Sequence, residues 1–383
     1  MTKRILVLVL ALVMVLSLVT ACATKPADPE MEKATEEKSE AAPAEEAEEA
    51  KELTEVTFVL PRTIEVLEDT PFWVATTQGY WAEEGLKVNI EQSFGTTDVK
   101  MVATGQAEFC VPGTSYVLTS VVNELPVKAV YQYDAVNIWV MAYLKDSGIS
   151  TWEDMKGKTV ALGDASWEAL ISPTLAAAGI DVGNELEFIV AGENRFVQVQ
   201  EGKIDLLFSW LGEIYQLQGQ GFDFDFLWGD DVIQTCGNPV VTSFDMIENS
   251  PEIVEGFIRG MAKGAYFTYV NPEAGADVSA AQFPAIEVTW DAAIGIQNGR
   301  VAQMFGVGEA TNAKMLEKIG WHFEDKWRTT VDGSVGSIDG LEADIDFDKI
   351  YTNEFIAAAN DWDRSEVEAD AENYVYTVRD QYE

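Results

Sequence analysis

Four turns in this chain combine glycine with hydroxyl, amide and charged side chains where a short apolar strand gives way to a helix. They are Ser93-Phe94-Gly95-Thr96-Thr97, Pro112-Gly113-Thr114-Ser115-Tyr116, Gly163-Asp164-Ala165-Ser166-Trp167 and Gly192-Glu193-Asn194-Arg195. Backbone N–H groups and hydroxyls at the start of a helix can hold an anion or donate to a carbonyl. Thr97, Ser115 and Ser166 equally suit a second role, capping their own helices. Aromatic side chains gather nearby: Phe72 and Trp73 follow the long loop at 61–70, and Tyr116, Trp167 and Trp210 fall at or just beyond strand ends. Such a set either stacks on a planar ligand or packs in the core. The candidate ligand contacts are therefore Glu65, Phe72, Trp73, Gly95, Thr96, Thr97, Gly113, Thr114, Ser115, Tyr116, Asp134, Asp164, Ser166, Trp167, Asn194, Arg195, Trp210 and Glu213.

Charge narrows the chemistry. Glu65, Asp134, Asp164 and Glu213 occupy these loops, and Arg195 is the one cation within the four turns themselves. Like charges in a desolvated cleft are costly, so a surplus of acids disfavours an anion and favours a neutral or weakly cationic aromatic solute, such as a pyrimidine, a flavin-like ring system or a related nitrogen heterocycle. The acids are alternatively solvated rim residues, which leaves a small anion such as a sulfonate, taurine or nitrate as the second reading. A third is an extracytoplasmic hydrolase with Glu65 and Glu213 as paired carboxylates. His322 is the sole histidine, which excludes a histidine-based triad and a multi-histidine zinc site. With no nucleophile elbow either, the chain is expected to be no enzyme, to have no catalytic residues and to need no metal or cofactor.

The elements that must position these loops alternate along the chain. Strand patterns at 55–60, 87–92 and 108–111 interleave with helix patterns at 71–84 and 97–104; strand patterns at 158–162, 187–190 and 205–208 interleave with helix patterns at 167–178 and 195–201. This alternation predicts an α/β fold of parallel-rich sheets covered by helices. An internal echo links the two halves: Val102-Ala103-Thr104-Gly105-Gln106-Ala107-Glu108-Phe109 aligns with Val199-Gln200-Glu201-Gly202-Lys203-Ile204-Asp205-Leu206. In each, a helix ends at a glycine suited to a left-handed cap, and an acid opens a short strand. Apolar runs at 127–133 and 137–144, and the return at 238–241, suggest two crossings between lobes. Lobe one is expected over 54–143 plus 239–383 and lobe two over 144–238, with the ligand in the cleft and two hinge crossovers that let it close. Beyond 300, Trp321, Trp327, Trp362 and His322 sit in acid-rich amphipathic segments expected to pack on lobe one, or alternatively to help close the pocket.

The first residues set the compartment. Lys3 and Arg4 precede an apolar run at 5–19, too short to span a membrane, and Val19-Thr20-Ala21-Cys22 ends it as a lipobox. Residues 1–22 are expected to be a lipoprotein signal peptide, with the mature chain anchored to the outer face of the cytoplasmic membrane through a diacylated Cys22. Residues 23–53, rich in Ala, Glu, Lys and Pro, read as a disordered acidic tether. The formal net charge is -40, so nucleic acid is a poor partner. Cys110 and Cys236 are far apart in sequence and are expected to be two buried thiols; a bridge is the alternative.

Pro71-Phe72-Trp73-Val74-Ala75, Gln78-Gly79-Tyr80-Trp81 and Glu84-Gly85-Leu86-Lys87-Val88 are similar to the opening of solute-binding proteins of the NMT1/THI5-like group. Gly105-Gln106-Ala107-Glu108-Phe109, Asp146-Ser147-Gly148-Ile149, Trp152-Glu153-Asp154-Met155-Lys156-Gly157-Lys158, Gly202-Lys203-Ile204-Asp205 and Asn271-Pro272-Glu273-Ala274 extend the resemblance over about 54–300. That group resembles the aliphatic sulfonate, taurine, nitrate and thiamine-pyrimidine binding proteins of ABC importers. The resemblance implies a periplasmic-binding-protein-like type II fold, and a monomeric receptor that delivers a small molecule to a permease or reports it to a membrane sensor. One branch makes the thiamine pyrimidine with a histidine and a cysteine-rich iron motif, and this chain has no such cysteine cluster.

Overall fold

The computed structural model describes residues 52–64, 66–307 and 309–382; the leader, Cys22, nearly all of the tether and Glu65 lie outside the described residues. Ten strands form two sheets: β1 (Thr54–Leu60), β2 (Leu86–Gln92), β3 (Phe109–Cys110), β4 (Val127–Gln132), β5 (Trp139–Leu144), β6 (Lys158–Leu162), β7 (Leu186–Val190), β8 (Leu206–Trp210), β9 (Phe224–Trp228) and β10 (Pro239–Ser243). The orders are β2-β1-β3-β10-β4 and β7-β6-β8-β5-β9. Both sheets share one plan, with a parallel trio followed by an antiparallel strand that has just arrived from the other lobe.

That plan corrects one boundary. The run at 137–144 reads equally well as the end of lobe one, but Trp139–Leu144 pairs with β8 and β9, so the crossing lies between Gln132 and Trp139. The second crossing lies between β9 and β10. Strand apolarity carries no sheet address, since any strand buried on both faces reads as a continuous apolar run.

Side-chain parity builds the core on both faces of each sheet. Val56, Phe58 and Leu60 of β1 face Phe72, Tyr80 and Phe257, while Val59 faces Val99, Cys110 and Val117. In lobe two, Trp139, Met141 and Tyr143 face one side and Val140 and Ala142 the other. Phe109 stacks on Phe257 at 3.9 Å between ring centroids, fastening the long helix Pro251–Val270 to sheet one. Truncating such a buried ring to Ala typically costs about 3–5 kcal/mol.

The repeated octet folds the same way in both lobes. Gly105 and Gly202 take φ of 70° and 69°, and Gln106 and Lys203 donate their N–H groups back to the carbonyls of Met101 and Gln198. This 6→1 bond is the Schellman cap, and a side chain would strain the glycine position. The acids then serve one purpose: Glu108 accepts the N–H of Thr57 at 2.7 Å, and Asp205 that of Thr159 at 2.9 Å, tying them to the neighbouring strands β1 and β6.

The C-terminal helices lie against both lobes. In helix Trp290–Phe305, Gly299 sits against the Tyr215 ring of lobe two, and Gly333 of helix Glu324–Ser334 lies near Pro173. The expectation that they pack on lobe one alone is thereby widened. His322 is enclosed by Gln132, Trp327 and Tyr351 and is pushed down to about 3 by burial, so it stays neutral as a core group. Cys110 and Cys236 are free buried thiols. No helix among the described residues is long and apolar enough to cross a membrane.

Candidate functional site

Loops leaving the carboxyl ends of β1, β3, β4, β6 and β8 meet between the lobes around a cavity of about 520 Å3, mouth included. Its apolar wall is Tyr116, Ile138, Trp139, Trp167, Leu170 and Trp210; its polar groups come from Arg62, Glu68, Asp134, Asn238 and Arg300, and Pro61 and Gly113 complete it. A side chain at Gly113 would meet Leu170 Cδ2 at 2.6 Å, so the lobes approach closely only because this residue has none.

Several contacts cross the mouth. Tyr116 and Ser166 hydroxyls share a hydrogen bond of 2.7 Å, Ser115 Oγ donates to the Ala169 carbonyl at 2.9 Å, and the Leu67 N–H donates to Gln216 Oε1 at 2.9 Å. Trp210 Nε1 donates to Glu68 Oε1, whose carboxyl group also lies against Gly212 at the start of helix Leu211–Gly219.

Both cavity arginines are already paired. Arg62 makes a two-point bond to Asp69, Nη1 to Oδ2 at 2.5 Å and Nη2 to Oδ1 at 2.7 Å, and its guanidinium lies 5.6 Å from the Trp210 ring centroid. Arg300 Nη2 pairs with Asp134 Oδ1, while its guanidinium carbon stands 4.1 Å over the Tyr133 ring. Glu68 is 2% exposed and burial drives it up to about 7, against the pull of Arg62; Asp69 raises it further, and Arg300 and the Trp210 bond oppose. Burial likewise raises the Tyr116 phenol, which keeps its proton. Three buried polar atoms on the lining residues have no partner: Glu68 Oε2, Asn238 Oδ1 and Arg300 Nε.

Of the residues singled out from sequence, Gly113, Tyr116, Asp134, Trp167 and Trp210 line the cavity. Ser115 and Ser166 bond across its mouth, and Asp164 accepts the Ser166 N–H at 2.9 Å and hydroxyl at 2.6 Å, which holds its carboxyl below the usual range. Gly95 sits at the same rim, facing Asp164 and Ser166. The others are elsewhere. Phe72 packs on Phe58 and Tyr133 at 4.9 and 4.8 Å, and Trp73 on Phe283 at 5.2 Å, because the helix Thr70–Thr77 turns their face toward the core. Thr96 is half-buried and Thr97 exposed, neither lining the cavity; Thr114 is buried and does not line it, and Asn194 is exposed. Arg195 is buried behind the wall, 4.9 Å from the Trp167 ring centroid, and bonds Glu213 at 2.5 and 2.6 Å. Glu213, also bonded by Ser209, is thus a structural partner of Arg195 and not a free acid or base. Glu65 lies outside the described residues.

Sequence reading missed Arg62, Glu68, Trp139, Asn238 and Arg300. Arg62 and Glu68 lie in the 61–70 loop that its length had already marked, and Asn238 sits at the return crossing. Arg300 carries no local signal, for a lone cation on an amphipathic helix normally faces water. Among the described residues no group of acids, cysteines and histidines could hold a metal ion.

Comparison with known proteins gives this geometry a context. The chain is 27% identical over 301 residues to the riboflavin-binding protein RibY of Chloroflexus aurantiacus, covering 76% of this chain and 83% of that one. It is 25% identical over 211 residues to a 4-amino-5-hydroxymethyl-2-methylpyrimidine phosphate synthase of Legionella pneumophila, covering 53% of this chain and 66% of the relative. Its fold is that of periplasmic binding proteins: the alkanesulfonate-binding protein SsuA of Xanthomonas axonopodis pv. citri, solved with MOPS, superposes with a TM-score of 0.56 at 13% identity over 82% of this chain and 98% of its own. The family model described as NMT1/THI5 like matches residues 67–275, just over half of the sequence, and the chain belongs to the NMT1/THI5-like family.

Proposed function

We propose that this protein is the extracytoplasmic, lipid-anchored receptor of an ABC importer, and that it closes as a monomer on a small planar nitrogen heterocycle of the pyrimidine or flavin kind. One observation carries the ligand class: a cleft walled by Trp139, Trp167, Trp210 and Tyr116 in which both arginines are already neutralised by buried carboxylates. Flat indole walls favour a flat guest. A sulfonate held by either arginine would have to displace Asp69 or Asp134, leaving a buried carboxylate uncompensated. The names of the relatives in Chloroflexus and Legionella agree with a ring ligand. The lipobox at Cys22 supports the anchor, and the family supports the importer. The hydrolase reading paired Glu65 with Glu213, and Glu213 is held by Arg195.

Tryptophan fluorescence during titration with riboflavin, 4-amino-5-hydroxymethyl-2-methylpyrimidine, taurine and nitrate tests this reading. Quenching by one of the two rings is expected. A response confined to taurine or nitrate overturns the ligand class.

A further inference from the structure

This inference rests on the reading of the cleft as a heterocycle site and names the edge by which the ring is recognised. Asp134 is the point on which two cavity residues hang. Its main-chain N–H donates to the Asn238 carbonyl at 3.0 Å and its carbonyl accepts from Gly237 at 3.0 Å, while its carboxylate holds Arg300. The Arg300 guanidinium is thus fixed on one side by Asp134 and on one face by the Tyr133 ring. Its Nε–H is buried and has no partner, and so is the side-chain carbonyl Oδ1 of Asn238; the residues are 2% and 9% exposed. A guanidinium Nε–H can only donate and an amide oxygen can only accept. A buried donor or acceptor left unpaired costs free energy, which a ligand group that pairs with it offsets.

We propose that Arg300 and Asn238 are the specificity-determining pair of this cleft, donating to and accepting from adjacent groups on one edge of the ligand ring. The edge that satisfies both carries an acceptor beside a donor: a carbonyl next to a ring N–H, as in a lactam or the imide of a flavin, or a ring nitrogen next to an amino group, as in an aminopyrimidine. Simple alkanesulfonates and nitrate carry acceptors only and leave Asn238 Oδ1 unsatisfied, and the ammonium donor of taurine is not adjacent to an acceptor on a ring edge. Arg300 lies on the helix Trp290–Phe305, beyond the span matched by the family model, so the C-terminal helices supply half of the recognition.

The test compares each ring with its blocked counterpart: riboflavin against 3-methylriboflavin, and 4-amino-5-hydroxymethyl-2-methylpyrimidine against its 4-dimethylamino derivative, by calorimetry on the mature chain. For the ring that binds, blocking the donor is expected to weaken binding at least about ten-fold, since a site built to pair a polar group rejects an analogue that lacks it. Asn238→Leu removes the acceptor but leaves the main-chain bonds to Asp134; it is expected to bind free and blocked rings with equal, reduced affinity. Binding of the blocked ring within about two-fold of the free one overturns the inference while the heterocycle reading stands. If neither ring binds, both fall together. The wild-type comparison decides the matter even if Asn238→Leu does not fold.

Discussion

Glu68 ties closure of the cleft to pH. In the closed arrangement it is buried against Trp210 and Gly212 of lobe two, with Arg62 at 4.0 Å, Asp69 beside it, Arg300 within electrostatic reach and Oε2 unpartnered. Burial raises it from 4.5 to about 7. When the lobes part, its carboxyl group meets water and returns toward the ordinary value, so closing takes up a proton. The sign follows: a group raised in the closed state supports closure fully below about 4.5, and that support is lost as pH rises through about 7. The difference is worth about 3 kcal/mol, roughly 300-fold in the closure equilibrium. On the proposed function riboflavin serves as the probe, and it does not ionise in this window, so its affinity would report the protein alone. Titration between about pH 5 and 8 should find wild-type affinity falling with a slope approaching ten-fold per pH unit, then levelling above 7. Glu68→Gln keeps an acceptor for Trp210 but carries no charge; its affinity should be flat and should match the low-pH limit of wild type. A flat wild-type profile, or a variant with the wild-type slope, refutes the reasoning.

Three further outcomes follow from other buried groups and from the leader. Asp98 is enclosed in lobe one with neither oxygen taken by a side chain, and burial raises it from 3.8 to about 7 despite the nearby Val99 N–H. Folding stability should therefore fall as pH rises from about 4 to 7, and Asp98→Asn should recover up to about 4 kcal/mol at pH 8 and little at pH 4, read by urea unfolding. Asp277 holds the C-terminal segment: burial pushes it up, but bonds from the Thr377 N–H and hydroxyl, the Val378 and Arg379 N–H groups and the Tyr374 phenol outweigh this and keep it low. Asp277→Ala should cost about 2–4 kcal/mol and release amides 377–379 to hydrogen exchange, and protection unchanged at those amides would contradict it. Cys22→Ala should shift the protein from the membrane fraction to the soluble one and abolish labelling by radioactive palmitate.

The sheet-and-helix halves were legible because local patterns specify them. The glycine caps at Gly105 and Gly202, the acids that follow them and the apolar strand runs are short-range signals, and the same octet folds the same way twice. The helix pattern at 71–84 was legible only in part: it breaks at Gly79, which takes φ 82° and starts a second short helix at Tyr80–Glu83. What sequence could not give was address. Whether 139–144 joins one sheet or the other depends on partners sixty or more residues away, and whether an aromatic lines a cleft or a core depends on which way its helix is rolled. Phe72 and Trp167 look alike as letters, and one packs in the core while the other walls the cavity. Arg300 lies furthest from local reach, since its role exists only once the helix Trp290–Phe305 lies across both lobes.

The charge of the molecule and the neutrality of its cleft have to be considered together. A chain with a formal charge of -40 repels anions at long range and concentrates cations at its surface. A receptor that holds its anion by charge would need a local cation surplus at the site against that field. The cavity offers none: Arg62 is matched by Asp69, Arg300 by Asp134, and Arg195 is turned away behind Trp167 to Glu213. Each pairing also fixes a planar guanidinium beside an aromatic ring, Trp210 for Arg62 and Tyr133 for Arg300. The arginines therefore act here as rigid, pre-oriented donors of hydrogen bonds and as supports for the aromatic wall, with their net charge cancelled. On the proposed function, a neutral ring would cross the acidic surface field without penalty and meet indoles and directed N–H groups inside.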